Sequence, residues 1–390
     1  MEAINKKETY AIVDIQDQYL SLIVTFYQNS QFYILFNERI YHNHNQGSKS
    51  FSKIFKQGKI FNNLIKQAEK ELKISLKNIS YNLPIKNIKI IPHEYFYKFS
   101  EPTLFNERIL NNINEEFLKS YQRKKQYQNF LFKINKYILL DQKESFSKPP
   151  FQRILSSIKI SGFLYQAEWK QIYKYSEIFK ITKKQPFRPI LLPYAIYINI
   201  LFSERTKKTV LVMWNEDKIQ VFIFEKKIFT HVFEIKKELN LLLNQIINKL
   251  NVDKEDIKKY LYNLFNLNEI NQNDQKLKFL NDLQGKQLKN IRQTITEKII
   301  NYLDKVVDEI QFIIEEKLIL NTKDTTIFVF GDVTKISGFN DYIQTIQKKW
   351  KWKVQINHFT GLKSSEDAYL IGNAYYHHLQ NKLSLIKQSK

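Results

Sequence analysis

Along the first forty residues the apolar positions gather into three short runs, Tyr10–Ile15, Tyr19–Phe26 and Gln31–Phe36, rich in Val, Ile, Tyr and Phe. Polar breaks at Gln16-Asp17-Gln18 and Asn29-Ser30 separate them. Runs of that length and composition predict an antiparallel meander. Ile60, Phe61, Leu64, Ile65, Ala68 and Leu72 then recur at helical spacing over Lys59–Leu72, and Ile79–Leu83 reads as a further strand before Pro84. The pattern returns at Thr209–Val212, Ile219–Phe224 and Ile228–Phe233, with an amphipathic helix at Leu239–Leu250 and a buried-type strand at Ile327–Phe330. Three strands, a helix and a strand, met twice with little identity, predict two copies of one mixed sheet with a crossover.

Two insertions interrupt the copies. Residues 84–163 carry short strands around a helix at Leu104–Tyr121, and residues 238–321 are mostly helical, ending in a long helix, Gln287–Leu318. The expected domains are therefore a first-half core (1–83 with 164–206), its insertion (84–163), a second-half core (207–237 with 322–378), its helical insertion (238–321) and a short tail (379–390). Asn266–Asp282 is polar and Asn-rich, the composition of a mobile loop.

Composition narrows the chemistry. Hydrophobic residues are 43% of 390, enough apolar mass to exclude disorder for most of the chain. The absence of Cys excludes a disulfide scaffold, a thiolate metal site and a cysteine nucleophile together. Gly is only 8 residues, about 2% where about 7% is usual, and phosphate-cradling loops are built from glycine. Lys+Arg exceed Asp+Glu by 61 − 39, a net +22 that favours nucleic acid, anionic lipid or an acidic partner. The accompanying wealth of Asn, Ile, Tyr and Phe and the scatter of the lysines favour A/T-rich coding drift as the source of that charge. The densest basic points, Tyr121–Lys125 and Thr182–Lys184, are short, and no nucleic-acid-binding motif accompanies them, so nucleic acid is not an expected partner. No run approaches the 18–20 apolar residues of a membrane span and no signal peptide is read, which places the chain in the cytoplasm.

Other chemistry is thinly represented. The histidines form no H-E-x-x-H; His42 and His44 fall in an expected loop, and His377-His378, about 100° apart on a helix, read as surface residues. Neither a G-x-S-x-G elbow nor a Walker A sequence occurs. Trp350 and Trp352 alternate in Lys349–Val354, as on a strand with one buried face.

A duplicated core with one insertion per half is the layout of the actin and Hsp70 class, an α/β, ribonuclease H-like duplicated ATPase fold. Within it the chain resembles FtsA, the actin-like protein that tethers FtsZ in bacterial division. Arg292–Glu297 is similar to the family's R-Q-T-L-A-E segment, and Gly331–Phe339 to its adenosine-contacting G-G-A-A-x-I-x-G-L turn. Ala368–Tyr375 is similar to its A-x-G-L-L-x-Y closing helix. The resemblance implies ATP and Mg²⁺ held by a D-x-G-[ST] loop and a D-x-G-G-G-T loop.

The departures fall on those loops. The first is Asp14-Ile15-Gln16-Asp17, with Gln16 in place of glycine; the second is Met213-Trp214-Asn215-Glu216-Asp217-Lys218, with Asn215, Glu216 and Asp217 in place of its three glycines. The adenosine turn keeps Gly331 but has Asp332 for its second glycine. Side chains there fill the space where amides approach phosphate, and Asp17, Glu216, Asp217 and Asp332 add negative charge around a negative ligand. Asp14 is either a surviving metal-facing carboxylate or a strand-end turn residue. The expectation is a pseudo-ATPase with no bound ATP or magnesium.

The resemblance also implies an FtsZ-like C-terminal peptide docking at Lys289, Arg292, Thr296, Glu297 and Tyr302, and self-association into filaments. A stripe of Ile371, Tyr375, Leu379, Leu383 and Ile386 flanked by Lys382, Lys387 and Lys390 continues past the closing helix. It predicts that residues up to 376 pack on the second-half sheet and that Leu379, Lys382, Leu383, Ile386 and Lys387 meet an anionic membrane at its inner face. Two alternatives remain open from sequence: an active ATPase with atypical phosphate loops, and an actin-like scaffold with no FtsZ contact.

Overall fold

The computed structural model describes residues 9–15, 19–29, 31–41, 50–83, 88–120, 127–140, 142–200, 208–225, 227–250, 253–267, 285–318, 325–350, 353–356 and 370–379. They form two units, one of the residues up to 200 together with 370–379, the other of residues 208–356.

In the first unit β1 (Thr9–Ile15), β2 (Tyr19–Gln28) and β3 (Gln31–Tyr41) make the expected meander. The helix α1 (Ser50–Leu72) crosses over to β4 (Asn78–Leu83), which lies parallel to β1. Phe61, Leu64, Ile65 and Ala68, the helical stripe of the sequence, are the buried face of α1. The insertion then runs β5 (Ile88–Leu104), α2 (Glu107–Ser120), β6 (Tyr127–Leu139), β7 (Glu144–Phe146) and β8 (Ile154–Glu168). It forms its own sheet in the order β5-β8-β6-β7, packed through Phe105, Ile113, Leu155, Ile158 and Ile160. These strands are long, 17, 13 and 15 residues for β5, β6 and β8, where the sequence suggested short ones. Pro92 and Pro102 break the hydrophobic pattern without ending β5, because β5 is an edge strand whose outer amides need no partner. After α3 (Trp169–Thr182), β9 (Gln185–Leu191) closes the main sheet and α4 (Leu192–Ile200) ends this part of the chain.

The second unit repeats the plan. Strands β10 (Lys208–Trp214), β11 (Ile219–Glu225) and β12 (Ile228–Ile235) form the meander. The helices α5 (Leu239–Leu250), α6 (Lys254–Lys259) and α7 (Gly285–Leu318) follow. Then come β13 (Thr325–Phe330), α8 (Phe339–Trp350) and β14 (Lys353–Ile356). The two main sheets have the same order, β3-β2-β1-β4-β9 and β12-β11-β10-β13-β14, an antiparallel meander extended by two parallel strands. That identity of topology, with so little identity of sequence, is the duplication. Ile295, Ile299, Leu303, Val306, Ile310 and Ile313 make the buried stripe of the 34-residue α7.

Three expectations are corrected here. Trp350 ends α8 and so is not a strand residue, while Trp352 lies outside the described residues. The closing helix α9 (370–379), assigned from its apolar stripe to the second half, packs in the first unit. A stripe shows that a helix is covered, not by which sheet; polar partners fix the choice. Ser80 Oγ on β4 lies 2.8 Å from Asn373 Oδ1 and 2.6 Å from His377 Nε2, and Asn373 Nδ2 donates to Asn82 Oδ1 at 2.8 Å. His378, with its Nδ1 3.1 Å from the Tyr10 hydroxyl, also lies against the Tyr27 ring, centroids 3.6 Å apart. Both histidines are therefore buried, against the reading of them as surface residues. A polar side chain is buried at little cost when the site supplies its hydrogen bonds.

Candidate functional site

The loop that stands where a second phosphate loop would stand is the turn between β10 and β11. Trp214 at the end of β10 is fully buried and anchors it. The turn is closed by the Asn215 amide donating to the Lys218 carbonyl at 3.0 Å, and the Glu216 carbonyl accepts the Asn240 amide of α5 at 2.9 Å. Met213, at the position of the family's leading aspartate, is 7% exposed within β10, paired with Gln220 and Phe330. A thioether offers no charge to a metal.

The adenosine-turn segment reaches this turn. Gly331 has φ +113°, and a Cβ on it would collide with Asn215 Oδ1 and the Trp214 carbonyl. Only glycine permits both the backbone angle and the approach. A short 3₁₀ turn, Asp332–Lys335, follows, with the Thr334 hydroxyl donating to the Gly331 carbonyl at 2.8 Å. Asp332 thereby faces the hairpin turn, and its Oδ2 accepts the Glu216 amide at 3.3 Å while its Oδ1 pairs with Lys335 at 2.6 Å.

Glu216 turns toward the helical insertion. Its Oε2 pairs with Lys258 of α6 at 2.5 Å, and its Oε1 accepts from the Tyr262 hydroxyl at 2.9 Å. Burial first, then the nearby Glu216 and Asp332 carboxylates, hold the Tyr262 hydroxyl far above its ordinary pKa, so it remains a donor. Asp217 is exposed. The turn thus carries two carboxylates and is faced by a third, Asp332; Glu216 and Asp332 are engaged by side chains of their own unit.

The structure distributes the other expected residues differently. Asp14 is fully buried one residue before the end of β1, opposite Ser21 of β2, with Tyr19 donating to its Oδ2 at 3.0 Å. Gln16 and Asp17 lie outside the described residues, as do the side chains of Lys289 and Arg292. Thr296 and Tyr302 are buried. Tyr302 is drawn inward because its hydroxyl donates to the Lys237 carbonyl and accepts the Trp214 indole N–H, each at 3.0 Å. Of the three whose side chains are described, Glu297 is the exposed one, accepting from Gln293 at 2.9 Å. Of the tail residues only Leu379 is described, 36% exposed; Lys382, Leu383, Ile386 and Lys387 lie outside, as do His42, His44, Tyr121–Lys125 and all but the first two residues of 266–282. Lys258 and Tyr262 were not expected, because nothing in a polar helical insertion marks which side chains reach back to a distant hairpin.

At this turn the Glu216 amide is hydrogen-bonded to the Asp332 carboxylate, and the Glu216 and Asp332 carboxylates are oriented on Lys258, Tyr262 and Lys335. Among the described residues no described helix is long and apolar enough to cross a membrane.

Neither a protein-family model nor a curated protein matches this chain. Solved structures do. A chain of the PilM-PilN type IV pilus biogenesis complex is 10% identical, with TM-score 0.59 over 94% of this chain and 97% of that one. MreB 5 of Spiroplasma citri, bound to AMPPNP, is 9% identical, with TM-score 0.50 over 99% of this chain and all of the other. At such identities the likeness defines the fold, and the fold is the actin-like ATPase fold, α/β and duplicated, with an insertion in each half. It does not single out FtsA-like proteins within that class.

Proposed function

We propose that this chain is an actin-like adaptor that works through its surfaces and does not turn over ATP, as a diverged FtsA-like protein would. The observation that carries the reading is the Asp332 carboxylate on the Glu216 amide. In a phosphate loop that amide is offered to a phosphate oxygen. Here an anion belonging to the chain itself takes it. A triphosphate would have to displace Asp332 and approach Glu216 and Asp217 as well, and each unit-charge pair at 4 Å costs about 1 kcal/mol even in water.

An FtsZ-like C-terminal peptide, self-association and an anionic membrane surface at the inner face of the cell membrane are the partners that go with this reading. The burial of Thr296 and Tyr302 favours contact with such a peptide through other positions of the insertion. The competing reading, an active ATPase, is favoured by the fold neighbour that binds AMPPNP. Titration calorimetry of the full chain with ATP and magnesium separates the two. The adaptor reading expects no saturable heat up to about 1 mM ligand, a ceiling of roughly −4 kcal/mol. Micromolar binding accompanied by phosphate release would establish the ATPase instead. A pull-down with FtsZ tail peptide, run on the same preparation, decides between the FtsZ adaptor and a scaffold without FtsZ contact.

A further inference from the structure

Lys183 and Lys184, from the basic point Thr182–Lys184 of the sequence, line a cavity in the first unit. The cavity, about 230 Å³, opens between the C-terminal part of α3 and strands β4 and β9. Its floor is aromatic. Tyr81 stacks on Tyr175 with ring centroids 4.8 Å apart, and the Phe179 ring lies tilted 5.4 Å from Tyr81. Ile172 adds an apolar wall and Ser176 a hydroxyl at the mouth. Burial pushes the Tyr81 hydroxyl up to about 12, so at neutral pH it can donate but carries no charge.

Three amines rim this slot, and they are not equivalent. Lys180 is paired with Glu177 and Lys184 with Glu69, each at 2.7 Å. Lys183 has no carboxylate within ion-pair distance among the described residues. Its backbone is fixed at φ +53° as the cap of α3, with its N–H on the Lys180 carbonyl. The slot therefore offers an aromatic floor of two tilted rings, neutral hydroxyls and one uncommitted positive charge. A dianionic phosphate would compete with Glu177 and Glu69 for their lysines and meet repulsion from both. A neutral apolar group would leave Lys183 without a counter-charge. A single carboxylate on a flat ring matches the site in size, polarity and charge.

We infer that this cavity binds an aromatic carboxylate, supplied either by a free small acid or by the C-terminal residue of a polypeptide. The inference is independent of whether the chain binds nucleotide, since the cavity belongs to the first unit alone. Three probes test it by calorimetry or ligand-observed NMR on the full chain at pH 7: phenylacetate, phenylacetamide, and a short peptide ending in phenylalanine with a free carboxylate. The acid is expected to bind with a Kd at or below about 1 mM, and the amide about tenfold more weakly. Lys183→Gly removes the amine while supplying the residue that a left-handed helix cap favours, so folding is preserved. It should weaken the acid about tenfold with an unchanged Tm. Ser176→Leu, on the exposed face of α3, should close the mouth and abolish binding. Tighter binding of the peptide than of phenylacetate assigns the site to a polypeptide terminus, and the reverse assigns it to a free acid. Equal binding by Lys183→Gly and the native chain, equal binding of acid and amide, or no binding of any probe overturns the inference.

Discussion

Gly372→Ala is expected to destabilise the first unit by about 3 kcal/mol, although Ala is the better helix former by about 1 kcal/mol. The sign is the test. Gly372 lies in α9 where that helix meets α4, and a Cβ on it would fall inside van der Waals contact of the Ala195 carbonyl. Ala195 is fully buried, so the obstacle is packed backbone that cannot swing aside like the end of a long side chain. Neither can α9 shift freely, because Asn373 and His377 are held by Ser80 and Asn82. Relief of the clash breaks those bonds, and each buried polar group left without a partner costs about 1–3 kcal/mol. In thermal unfolding the loss should appear as a fall of about 6–12 °C in Tm, at roughly 2–4 °C per kcal/mol for units of this size. Limited proteolysis should cleave the chain near α9 sooner. A Tm equal to or above that of the native chain would mean that the two helices do not meet through Gly372.

How much of this could be read from the sequence depended on whether a signal was local. Both meanders were legible because Val, Ile and Phe runs of strand length lay between polar breaks, and both halves repeated the order. The stripe of α1 was legible for the same reason: Phe61, Leu64, Ile65 and Ala68 have no alternative to burial. What failed was non-local. The address of α9 is written in Ser80, Asn82 and Tyr10, more than 290 residues away, and polar residues give no period that reveals their partners. For the same reason His377 and His378 looked exposed. Thr296 and Tyr302 were expected on a docking face because the family resemblance implies a peptide there; that Tyr302 would turn inward and satisfy its hydroxyl on a backbone carbonyl carried no local signal. The altered loops were legible as substitutions, Gln16, Asn215, Glu216, Asp217 and Asp332, but not as a network. That Lys258 and Tyr262 would claim Glu216 required the fold.

The second large effect is expected at the foot of the same turn. Trp214→Ala should cost about 3–5 kcal/mol, the range for emptying a buried aromatic site. Trp214 is fully buried, edge-on to Phe339 with centroids 5.8 Å apart, and its indole N–H reaches Tyr302 on α7. It therefore ties the β10–β11 hairpin to the long helix of the insertion. Tyr302→Phe should cost less, about 1–3 kcal/mol, since it keeps the ring but strands the Lys237 carbonyl and the Trp214 N–H. The two losses should not sum, because one hydrogen bond is removed by both changes. Chemical denaturation of the two single variants and the double variant measures that coupling. The same series also separates the two meanings of Tyr302. A residue on a docking face would lower peptide affinity with stability unchanged, whereas a residue of the core lowers the denaturation midpoint whether or not any peptide is present. Native-like stability in Tyr302→Phe would return the residue to the surface, and with it the expected FtsZ-facing patch.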